Sequence, residues 1–121
     1  MTALSNLYGL LSGHFDWADD VYIKSVPDTA KSNSTFIFMR DSTQQLKDFG
    51  SNAFRSMQYD LEIQIYYSTE SELDYDSVEL DLMRFLISKG YVVENVRGRI
   101  QDPDTAQDYQ TIIVGKTERG I

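Results

Sequence analysis

Residues 58–68, Gln58-Tyr59-Asp60-Leu61-Glu62-Ile63-Gln64-Ile65-Tyr66-Tyr67-Ser68, decide the fold. Tyr59, Leu61, Ile63, Ile65 and Tyr67 alternate with Gln58, Asp60, Glu62, Gln64 and Tyr66. Successive side chains of an extended chain point to opposite faces, so this pattern predicts a strand with one face inward and one face wet. Its length marks it as a central strand.

On its C-terminal side, Thr69–Asp76 is polar and acidic, and Asp74 or Asp76 can cap a following helix. Apolar spacing predicts that helix over 75–89, with Gly90 ending it. Two strands follow, 91–100 and 109–116. The turn between them contains Asp102-Pro103-Asp104-Thr105, so the strands are expected to pair as an antiparallel hairpin. On the N-terminal side, Thr35–Arg40 holds a continuous apolar run that predicts a strand buried on both faces. Val21–Val26, stopped by Pro27, reads as another strand. Leu4, Leu7, Leu10 and Leu11 suit a short amphipathic helix over 3–13, with Thr2 as its cap and Gly13 as its stop. Residues 41–57 carry no clear period and are read as an irregular connection. The fold class is α+β: one domain over 1–121, a largely antiparallel mixed sheet of about five strands, one main helix and a short N-terminal helix.

The main helix carries too much apolar surface for one sheet. Placed at about 100° per residue, Tyr75, Val78, Leu82, Phe85 and Leu86 form a core stripe. Leu80, Met83 and Ile87 widen the apolar arc to roughly 220°. Either the N-terminal helix covers that second stripe, or it faces another subunit. Leu80, Met83 and Ile87 are therefore candidate interface residues. Arg97, Arg99 and Lys116 are expected to gather on the last hairpin, with Arg119 after it, as a candidate basic patch for an acidic neighbour, such as residues 70–81 of an adjacent copy. Leu46, Phe49, Phe54 and Arg55 are candidates for a partner-contact loop.

Composition narrows the chemistry. The 121 residues carry 19 acidic and 11 basic side chains, a net charge of −8, which disfavours sequence-specific duplex binding. There is no cysteine and a single histidine, His14, so thiolate metal sites, a cysteine nucleophile and a Ser-His-Asp arrangement find no support. His14 reads as a loop residue. The Asp102–Asp108 segment lacks the ligand order of a calcium loop, and its Asp and Pro residues serve a turn. The acidic run Glu70, Glu72, Asp74, Asp76, Glu79 and Asp81 reads as a solvated face at a helix N-terminus. No Gly-rich phosphate loop exists, and no cofactor or metal is expected. No basic signal region opens the chain and no apolar run approaches bilayer length, so the expectation is a cytosolic chain without membrane contact.

Several local phrases now carry a resemblance. The strand Tyr59–Tyr67, a helix of about four turns, Gly90-Tyr91 opening a strand, Asp102-Pro103-Asp104-Thr105 and a final strand follow in order. Over roughly residues 20–118 the chain resembles the tail-terminator (tail-completion) proteins of long-tailed bacteriophages, especially those of lactic-acid and related Gram-positive hosts. The resemblance implies a mixed α/β fold with a curved sheet and no catalysis. It implies a ring, typically hexameric, on the head-proximal end of the tail tube, assembled in the host cytoplasm and carried in the virion. Such a ring stops tube polymerisation, contacts the tube protein and the head connector, and lets DNA through its lumen without specific binding. Two other readings compete. A different neck or head-completion protein would be separated by binding to purified tube or connector. An acidic DNA mimic would need carboxylates at phosphate-like intervals, which 70–81 meets only in part. A hydrolase or nuclease lacks residues for its usual sites.

Overall fold

A computed structural model of the chain describes residues 2–47 and 56–119. Two helices and six strands follow in the order α1 (Ala3–Leu11), β1 (Asp20–Ile23), β2 (Phe36–Lys47), β3 (Ser56–Tyr66), α2 (Tyr75–Ser88), β4 (Val92–Val96), β5 (Ile100–Gln101) and β6 (Asp108–Arg119). They make one mixed sheet of order β1-β2-β3-β6-β4, with β5 also on β6. Only β1 and β2 pair in parallel; every other pairing is antiparallel. The α+β class holds, with β3 central as its alternation requires.

Both helices lie on one face. Leu4, Leu7 and Leu11 of α1 and Val78, Leu82 and Leu86 of α2 pack on Ile37 and Met39 of β2, Leu61, Ile63 and Ile65 of β3, and Ile112 and Val114 of β6. All are buried, so this is the core. α1 starts with a capping box: the Thr2 Oγ1 accepts from the Ser5 N–H at 3.0 Å, and the Ser5 Oγ accepts from the Thr2 N–H at 3.0 Å. Asp74 is the N-cap residue of α2, but its carboxylate accepts from the Ser77 hydroxyl and bonds no backbone N–H. The expected side-chain cap is thus absent. Gly90, at φ +90°, turns the chain out of α2.

The largest departure from the sequence reading is at 41–57. Residues 41–47 continue β2, and Ser56 and Met57 open β3, so the two strands form one long antiparallel hairpin. The pairing register shifts between Asp41 and Thr43. A bulge there reverses which residues face which side, so no single two-residue period spans the strand. Arg40 faces Glu62 before the bulge and Thr43 faces Asp60 after it. The expected strand 91–100 is likewise broken. β4 ends at Val96, Gly98 at φ +95° re-aims the chain, and β5 resumes at Ile100.

Among the described residues no helix lies on the second face of the sheet, yet it is not simply wet. Phe36, Phe38, Glu62, Asp60 and Ile113 are all buried there. Phe36 stacks on Tyr66 at 4.8 Å between centroids, Tyr66 stacks on Tyr109 at 4.9 Å, and Tyr22 meets Phe36 edge-on at 5.3 Å. This row crosses β1, β2, β3 and β6. Thr35–Met39 of the run is buried on both faces as expected while Arg40 is exposed, and rings rather than a second helical layer cover the outer side.

Candidate assembly surface

The sequence left open whether α1 covers the second stripe of α2. In the structure α1 packs over β1 and β2, and the chain after it reaches α2. His14 stacks on Phe85 at 3.9 Å, Phe15 meets the same ring edge-on at 5.5 Å, and the Trp17 Nε1 donates to Asp81. Leu80 and Ile87 are left 45% and 57% exposed, while Met83 is half-buried against the core. The stripe therefore divides: Met83 belongs largely to the protomer, and Leu80 and Ile87 face out. The edge strand β4 and its continuation expose Val96 on the helix side, and Val92 and Ile100, which pair with Gly115 and Tyr109, on the bare face. Five of the exposed large apolar side chains thus lie on α2, β4 and β5. The sequence reading missed the β4 and β5 members. Their signal, a valine-rich strand, reads the same for an edge and a centre.

Arg97 and Arg99 do not form one patch. Gly98 between them sends them to opposite faces of the sheet. Arg97 approaches Glu62 on the bare face at 3.9 Å, and its side chain is half exposed. Arg99 turns to the helix side, pairs with Asp76 and Glu79, and lies over the Tyr75 ring at 5.4 Å. Its acidic partner is α2 of its own chain. Lys116 sits elsewhere again, donating to the Lys89 carbonyl at 3.0 Å and lying over the Tyr91 ring. Of the candidate loop, Leu46 is a β2 residue paired in register with Met57; Phe49, Phe54 and Arg55 lie outside the described residues, as does the Arg119 side chain.

Glu79 corrects the reading of the acidic run. It is buried at the centre of a network rather than part of a solvated face. The Tyr67 hydroxyl donates to it at 2.7 Å, Arg99 Nε at 2.9 Å and Gln110 Nε2 at 3.1 Å. Burial, then the hydrogen bond to Glu79, pushes the Tyr67 hydroxyl pKa well above the ordinary tyrosine range. Hydrogen bonds to Glu79 and then Asp76 raise the Arg99 pKa, so the guanidinium stays charged. Every side chain in this knot is answered from within the chain, which suits a brace between α2 and the β4–β5 corner. The Asp102 carboxylate accepts from the Asp104 N–H at 2.8 Å, the turn role its sequence predicts. Among the described residues no three His, Cys, Asp or Glu side chains converge to hold a metal ion, and no helix is long and apolar enough to cross a membrane.

A family model, DUF806, matches residues 4–118, and its description is a protein of unknown function. The chain belongs to DUF806. The match takes in all of the elements but the first residue of α1 and the last of β6, so the architecture above is that of a DUF806 domain. No curated protein matches the chain.

Proposed function

We propose that this DUF806 chain is a structural phage protein of the tail-terminator kind: a ring that caps the head-proximal end of the tail tube and joins it to the head connector. The observation that carries the reading is the exposed apolar pair Leu80 and Ile87 on α2, with the exposed Val96 on the same face of the edge strand β4. Apolar surface left over after a small core has packed is costly unless another surface covers it. The resemblance of residues 20–118 to tail terminators supplies the kind of neighbour, copies of the chain itself. The net charge of −8 supports a lumen through which DNA slides without adhering. In this reading the chain performs no catalysis and needs no cofactor.

The test is assembly. The purified chain is expected to show a multiple of its 13.9 kDa mass by light scattering, and closed rings in negative-stain images. Added to polymerising tail-tube protein, it is expected to stop elongation. Tubes that lengthen undisturbed, with a chain that stays at one subunit mass in their presence, would sink the reading. Rings that bind connector but ignore the tube would move the protein to another neck position.

A further inference from the structure

Among the described residues the sheet ends in two edges, β1 and β4, and the strand registers relate them row by row. Met39 of β2 pairs with Ile23 of β1 on one side and Ile63 of β3 on the other; Ile63 pairs with Ile112 of β6, and Ile112 with Val96 of β4. Ile23 and Val96 are thus the two ends of one row, and the interior of that row belongs to the core under the helices. The neighbouring row starts at Tyr22, runs through Phe38, Gln64 and Thr111, and ends at Arg97, whose N–H donates to the Thr111 carbonyl. Tyr22 and Arg97 both lie on the bare face, where Tyr22 meets Phe36 and Arg97 meets Glu62.

Direction matches as well. β1 runs parallel to β2, while β4 runs antiparallel to β6, which itself runs with β2. Two copies set side by side with their strands level bring β1 of one against β4 of the next in antiparallel sense, the more favourable ladder. Among the described residues no strand pairs with the outer side of either. Neither Asp20-Val21-Tyr22-Ile23 nor Val92-Val93-Glu94-Asn95-Val96 contains the Lys or Pro that commonly guards an edge. The register shift of β4, between Val93 and Asn95, falls short of Val96.

Charge fits the same juxtaposition. Asp16, Asp19 and Asp20 precede and open β1, and Arg97 stands where β4 ends. We propose that copies of this chain join head-to-tail through their sheets, with β1 of one copy adding antiparallel to β4 of the next. Ile23 then meets Val96 on the helix side, and Tyr22 and Asp20 lie with Arg97 on the bare side. Heterologous contacts of this kind close into rings when the rotation between copies allows. The inference deepens the ring reading above and rests on it for closure.

The chain has no cysteine, so introduced thiols report without background. Full-length chains carrying Ile23→Cys with Val96→Cys, or Val21→Cys with Val96→Cys, test the two pairings that keep the faces matched. Mild oxidation at high protein concentration is expected to give a ladder in multiples of 13.9 kDa ending at a closed species. Each single variant should stay at one chain mass. A second variant, Val96→Lys, should keep the wild-type melting temperature and weaken self-association about tenfold or more, since the lysine needs water that the joined edge excludes. Rings that form without a ladder and survive Val96→Lys would overturn the edge pairing and leave the ring standing. A Val96→Cys single variant that cross-links as well as the doubles would replace it with back-to-back pairing of β4. A wild-type chain that stays monomeric even with tail-tube protein present, with no ladder from either double variant there, would overturn both.

Discussion

Each face of the sheet buries a glutamate to the same degree, 5% exposure, and by different means. Under the helices, Glu79 is held by Tyr67 and Gln110, which are buried with it, and by Arg99, whose side chain keeps 35% exposure. On the bare face, Glu62 lies beneath Arg40, whose Nε donates to it at 2.8 Å while the rest of that side chain is more than half exposed. Equal exclusion from solvent therefore does not mean equal dependence on the partner. If either partnership is broken, water can reach Arg40 at once, but it cannot reach Tyr67 and Gln110 without opening the protomer.

That difference sets the largest expected effect. Glu79→Ala leaves the buried Tyr67 hydroxyl and Gln110 amide short of an acceptor, while Arg99 keeps Asp76 and solvent, and is expected to cost about 2–3 kcal/mol of unfolding free energy. Glu62→Ala releases a mostly hydrated arginine and is expected to cost about 1 kcal/mol or less. Urea denaturation of the two variants checks the contrast. Losses of equal size would show that the bare face is as closed in solution as the helix side.

A smaller effect sharpens the comparison through pH. Because burial and Glu79 hold the Tyr67 pKa above the ordinary value of about 10, the folded chain keeps this phenol protonated where the unfolded chain would ionise it. The stability it contributes is complete below about pH 10 and falls as pH rises above that point. Tyr22, Tyr66, Tyr75 and Tyr91 are raised too, chiefly by burial, and add to the same alkaline slope. Tyr67→Phe should cost about 1 kcal/mol at neutral pH. It should also make the decline in urea midpoint between pH 9 and pH 11 visibly shallower. An unchanged slope would mean that the hydroxyl is not sealed against α2.

How much of this was legible follows from which signals are local. The β3 alternation, the α2 stripe, the Thr2 cap and the Gly90 stop are read within a few residues, and they hold. The 41–47 half of β2 was not legible because its bulge reverses the pattern at Ser42, and only pairing with β3 shows that the strand continues. Glu79 looked solvated because five other acids share its segment; its burial comes from Tyr67, Gln110 and Arg99, residues remote in sequence. The split of Arg97 from Arg99 hangs on the positive φ of Gly98. For the candidate surface, the excess apolar arc on α2 was visible, but which of its residues face out depends on where α1 settles. The edge position of β4 is a fact of strand order that no local pattern encodes.

The smallest expected effect on stability bears most on function. Leu80→Ser with Ile87→Ser changes two side chains that are already 45% and 57% in water, so little transfer energy is at stake within one chain. Unfolding free energy is expected to stay within about 0.5 kcal/mol of wild type. Self-association measured by sedimentation should nonetheless weaken, because two apolar groups that a neighbour would cover become polar. The outcomes separate cleanly. Unchanged stability with lost association places the α2 flank in a contact between copies. Unchanged stability with unchanged association removes α2 from that contact and leaves the sheet edges to carry it. A large loss of stability would mean that Leu80 and Ile87 are covered within the protomer after all, and that the apolar excess of α2 is satisfied inside a single chain.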